Sequence, residues 1–104
     1  MNETEMKELL NSSGIPFVYH IWRKPPDALP WGVFRFSDVS SFFADGVLYY
    51  SVKACEIELY TGEKDPEAER AVEDVLTAAG ISFEKDEFYI EGEQLFEILY
   101  ECEV

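Results

Sequence analysis

The dipeptide Asp45-Gly46, set between two apolar-rich runs, constrains this chain more than any other feature. Asp-Gly fills the two-residue type I′ turn, whose twist matches the strands on either side. With the turn there, Ala44 faces Val47 and the other pairings follow by counting outwards. Phe43 meets Leu48, Val39 meets Val52, Phe36 meets Cys55 and Phe34 meets Ile57. Asp38 falls opposite Lys53, and Arg35 opposite Glu56. Two opposite-charge pairs from one register are a check on it, because like charges in those places would destabilise. The sequence therefore predicts a hairpin within residues 31–60, with arms of roughly a dozen residues against a usual strand of about five or six.

The two faces of this hairpin differ along its length. Near the base, Phe34, Phe36, Cys55 and Ile57 share one face, and Arg35, Glu56 and Glu58 the other, the pattern of a half-buried sheet. Near the tip both faces are apolar. Phe42, Val47 and Tyr49 lie on one; Val39, Phe43, Leu48, Tyr50 and Val52 lie on the other. One core cannot cover both sides of a tip that projects beyond it. Either the chain's own helix or loops cover the second face, or another subunit does. On the second reading the protein-interaction residues are Val39, Phe42, Phe43, Val47, Leu48, Tyr49 and Tyr50.

The remaining elements read in order. Residues 2–11 predict a short helix, with Met6, Leu9 and Leu10 as its apolar stripe and Gly14 at the left-handed cap. Residues 16–22 predict a strand opened by Pro16, and residues 23–30 a proline-stiffened loop. Residues 65–79 predict a second helix. Asp65 suits the N-cap and Pro66 the first turn, with a buried stripe of Ala68, Ala71, Val72, Val75, Leu76 and Ala79. Its exit, Gly80-Ile81, resembles Gly14-Ile15, so one helix-to-strand turn is expected twice. Residues 81–90 predict a polar edge strand, and residues 95–104 an amphipathic strand with Phe96, Ile98, Tyr100, Cys102 and Val104 inward. The expected fold is one α+β domain, residues 1–104: a mostly antiparallel sheet with a long β-hairpin and two helices packed on one face, in the order α-β-β-β-α-β-β.

Charge narrows the function. The chain has 104 residues and a net charge of −14, and residues 61–104 hold 14 acids against three bases. Such a surface repels phosphates, which argues against specific nucleic-acid binding and against an anionic membrane. No apolar run approaches the roughly 18 residues of a membrane span. Residues 1–10 carry acids and no apolar block, unlike a secretory signal. No catalytic constellation emerges, so no enzyme is expected. His20 is the single histidine and lies in an apolar run, as a packed or edge residue would. Cys55 and Cys102 read as reduced core thiols. One histidine and two separated thiols give no metal spacing, and the acids of residues 84–93 lack a calcium-loop pattern. No phosphate loop occurs, and no cofactor is expected.

The whole order of elements resembles the small tail-completion proteins of long-tailed phages and prophages of Gram-positive bacteria, also called tail terminators. The most specific segments are Phe42-Phe43-Ala44-Asp45-Gly46 with Tyr49-Tyr50, and Ile57-Glu58-Leu59-Tyr60-Thr61 leading to Lys64-Asp65-Pro66-Glu67. The resemblance implies a ring of copies of itself, usually a hexamer, that caps the tail tube and joins it to the head–tail connector, or stopper. It implies assembly in the bacterial cytoplasm and residence in the virion neck, with DNA passing through the bore. A conduit for DNA gains from an acidic lining that repels phosphates. Glu84, Asp86, Glu87, Glu91 and Glu93 are the expected bore-facing acids. The alternative is an acidic DNA mimic that inhibits a host nuclease, which would have no need of an apolar arm.

Overall fold

The computed structural model describes the backbone of residues 1–44 and 47–104 and the side chains of residues 1–37 and 53–104. The order is α1 (Glu3–Asn11), β1 (Phe17–Tyr19), β2 (Trp31–Ala44), β3 (Val47–Thr61), α2 (Pro66–Ala78), β4 (Phe83–Ile90) and β5 (Leu95–Glu103). The fold is α+β in the order expected. The five strands form one sheet, β1-β2-β3-β5-β4, antiparallel except where β1 runs parallel to β2.

Helix α1 starts where a capping box closes it: Asn2 accepts from the Glu5 N–H at 2.8 Å, and the Asn2 N–H donates to Glu5 Oε1 at 3.0 Å. Asp65 caps α2 by accepting from the Ala68 N–H at 3.1 Å. Both helices lie on one face of the sheet. Met6 and Leu10 of α1 and Ala68, Val72 and Leu76 of α2 pack on Phe17, Phe34, Ile57, Leu59, Ile98 and Tyr100. Ala79, expected in the buried stripe, is exposed, because the helix has already ended at Ala78.

The two helix exits differ. After α2, the Gly80 N–H donates to the Thr77 carbonyl and the Ile81 N–H to the Leu76 carbonyl, with Gly80 at φ +75°. This is a Schellman cap. After α1, Ser12 caps the helix and Gly14 follows two residues later. There the Asn11 side chain takes over, donating to the Phe17 carbonyl and accepting from the Phe17 N–H, both at 3.1 Å. Thr77, at the matching place, has no amide with which to do this.

The first strand is shorter than residues 16–22. It ends at Tyr19, and His20 is exposed at φ +69° in a γ-turn closed by the Ile21 N–H on the Tyr19 carbonyl at 2.8 Å. The aromatic run fits a strand by propensity, but the backbone turns out of the sheet at His20.

The hairpin arms are 14 and 15 residues long. Their register agrees with the count from the turn at both ends. Ala44 pairs with Val47 and Phe43 with Leu48; Phe36 pairs with Cys55, Arg35 with Glu56 and Phe34 with Ile57. Between these ends the ladder is displaced by one. Asp38 pairs with Ala54 rather than Lys53, and Val39 with Lys53 rather than Val52. Register breaks after Phe36 and after Phe42 leave Ser37 unpaired on one arm and Tyr49 on the other, and the two displacements cancel. Bulges of this kind bend and twist a long ribbon. Counting from the turn assumes an unbroken ladder and so passes over them.

Candidate interaction surfaces

Strand pairing divides the hairpin into two parts. From Ala54 to Thr61, β3 is also paired to β5, and Lys53 exchanges backbone hydrogen bonds with Val104 at 3.1 and 2.9 Å. Beyond Lys53 the described residues of the two arms pair with each other and not with β5. About seven residues per arm at about 3.3 Å each carry this ribbon some 20–25 Å past the sheet. The molecule measures 52 × 27 × 24 Å with a radius of gyration of 15.0 Å. A compact chain of this length would have about 13 Å. Side chains at Val39, Phe42, Phe43, Val47, Leu48, Tyr49 and Tyr50, the expected interaction residues, lie outside the described residues.

The face of the sheet opposite the helices is acidic. Alternation places Glu56 and Glu58 of β3, Glu97, Glu101 and Glu103 of β5, and Glu84 and Asp86 of β4 on it, with Arg35 as its base among the described residues. Glu56, Glu101 and Glu84 stand directly opposite one another on three adjacent strands. Arg35 bonds Glu58 and lies 3.6 Å from Glu56.

The five acids expected at a bore do not form one patch. Glu84 and Asp86 share the acidic face. Glu87 projects to the helix side, where Lys64 pairs with it. Glu91 and Glu93 are exposed in the turn between β4 and β5. The additional members, Glu56, Glu58, Glu97, Glu101 and Glu103, were legible as outward positions of their strands. Strand order, which aligns Glu56 and Glu101 with Glu84, is not written locally.

On the helix side a charged cluster ties β4 to α2. Glu69 is 4 % exposed, and its carboxylate meets Lys64 and Lys85, each at 2.7 Å. Burial raises the Glu69 pKa, but the hydrogen bonds from Lys64 and Lys85 outweigh it and hold the group below the usual carboxylate range. Lys85 also reaches Glu73 at 2.8 Å, and Glu73 accepts from the Tyr100 hydroxyl at 2.8 Å. Burial and the bond to Glu73 push the Tyr100 phenol up. These groups are fully engaged with one another, which suits a structural clamp.

Cys55 and Cys102 face each other across β3 and β5, both buried and not joined in a disulfide. Their mutual hydrogen bond and burial push the Cys55 thiol up, so it holds its proton at neutral pH. Among the described residues, no cluster of three or more potential metal ligands occurs, and no helix is long and apolar enough to cross a membrane. Comparison with family models finds no match for this chain, and comparison with curated proteins finds none either.

Proposed function

We propose that this protein is a phage tail-completion protein: a structural subunit that forms a closed ring of copies of itself, caps the tail tube and joins it to the head–tail connector. The observation that carries the reading is the ribbon beyond Lys53. An isolated two-stranded hairpin is marginally stable in water. This one extends past the sheet with apolar residues throughout its sequence. A neighbouring subunit would supply the third layer, and a head-to-tail contact repeated around an axis closes into a ring. The acidic face supports the second half of the reading. A passage lined by Glu84, Asp86, Glu101 and Glu103 repels phosphates and lets DNA slide without binding.

The test is the double substitution Phe43→Asp with Tyr50→Ser. The expected variant keeps the body fold by circular dichroism and does not form rings on tails. A folded variant that still completes tails overturns the proposal. So does one that fails to fold, because the ribbon then belongs to the body of the monomer.

The acidic face also favours a second reading, a DNA mimic that inhibits a nuclease as a monomer or dimer. Inhibition of a nuclease that survives the same double substitution would support it over the ring.

A further inference from the structure

Both tryptophans of the chain stand at one place, the end of the acidic face nearest the loop of residues 20–30. Trp22 donates from Nε1 to the Gly32 carbonyl at 2.9 Å, which pins the loop against the sheet. Its ring meets Trp31 edge-on at 6.4 Å, and Trp31 lies 5.1 Å from Tyr60. These rings, with Pro25 and Leu95, line a groove of about 420 Å³, with His20 and Glu93 also on its wall.

Just outside the groove, behind the Tyr60 ring that lines it, there are more acceptors than protons. The Tyr60 hydroxyl lies 2.8 Å from Glu58 Oε2 and 2.9 Å from Glu97 Oε1. A phenol carries one proton, so it can donate to only one of two carboxylates. Burial and these two carboxylates push the Tyr60 phenol up, so that proton stays in place. Glu58 has Arg35 as a cation partner. No ion pair among the described residues reaches Glu97. Phe88, 48 % exposed, stands opposite Glu97 on the outer strand. A half-buried carboxylate therefore sits between two aromatic rings, beside a groove of indoles.

We propose that this groove receives an arginine side chain from an extended basic segment of a partner protein. Charge complementarity selects the occupant, because the surrounding face is acidic and Glu97 has no cation partner among the described residues. The flat rings select arginine over lysine. A guanidinium stacks on indole and phenol faces while its N–H groups bond a carboxylate in the same plane. The proposal stands apart from the tail-completion reading, because it uses neither the ribbon nor a ring.

The test uses the full chain and an acetylated, amidated peptide of four Arg-Pro repeats, with four Gln-Pro repeats as the neutral control. Intrinsic tryptophan emission reads the groove directly. A saturable change with the Arg peptide alone is expected. Glu97→Gln should weaken binding about tenfold, the size of one such contact, and Trp22→Leu should do so at least as much. Asp74→Asn, the same charge change on exposed helix surface, should leave the affinity within about twofold. Equal weakening by Glu97→Gln and Asp74→Asn would assign the binding to bulk charge and overturn the proposal. So would an unchanged emission, or equal binding of the Gln peptide. A dimer in light scattering that Trp22→Leu dissociates, and that the Arg peptide does not, would make the occupant a second copy and overturn it too.

Discussion

At Gly32 there is no room for a side chain. A Cβ there would fall against the Phe17 ring and 2.5 Å from the Glu58 carbonyl oxygen. Neither the buried ring nor the strand backbone can step aside, so Gly32→Ala should cost about 2–4 kcal/mol in chemical denaturation, as overpacked cores do. The sequence alone assigns this glycine no role, because its crowding arises from Phe17 on β1 and Glu58 on β3, residues far from it in the chain. Glu69 carries a second residue-scale prediction. Its carboxylate is buried while Lys64 and Lys85 are each more than a third exposed. Glu69→Gln leaves two lysines that water can rescue, so the loss should fall below the range for a fully buried pair, at about 1–2 kcal/mol. The pH dependence follows from the depressed pKa. A carboxyl lowered by folding contributes its stability above the unfolded value and loses it as pH falls through the folded one. Wild type should therefore lose more stability than Glu69→Gln on acidification from neutrality through and below about pH 4.5, the ordinary glutamate value. Equal slopes would remove Glu69 from the acid response.

At the scale of elements, helices and strands were legible where the pattern is local. The Asp65-Pro66 start of α2, the Asp45-Gly46 count and the polar edge strand β4 all rest on neighbours in sequence. Several features were not legible. The parallel seat of β1, the two cancelling bulges and the γ-turn at His20 depend on what lies across the sheet. The acidic row was legible only in part, because the outward glutamates of β5 can be counted but not their partners. That row carries its own prediction. Glu56, Glu101 and Glu84 stand side by side on three strands, and like charges directly opposite destabilise a sheet. Glu101→Lys places a cation between two acids and should raise stability by about 0.5–1 kcal/mol at low salt, with the gain shrinking as salt screens it. Thermal melts at two ionic strengths check both parts. A loss of stability would mean that the row is balanced by something other than solvent.

At the scale of the whole molecule, a small body with a buried core carries a ribbon that its own sheet does not support. The core accounts for the folded body, since both helices and all five strands contribute to one apolar layer. It does not account for the ribbon, where the ladder beyond Lys53 has two strands among the described residues. Stability is then uneven along β2 and β3, and local opening should begin at the far end. Amide hydrogen exchange across residues 31–61, in the free chain and in the ring proposed to form on tails, tests this most directly. Residues 54–61 should be protected in both states. Residues 38–44 and 47–52 should exchange quickly in the free chain and become protected on assembly. A ribbon already as protected as the body in a solitary chain, or one left unprotected in the assembled ring, would contradict the account.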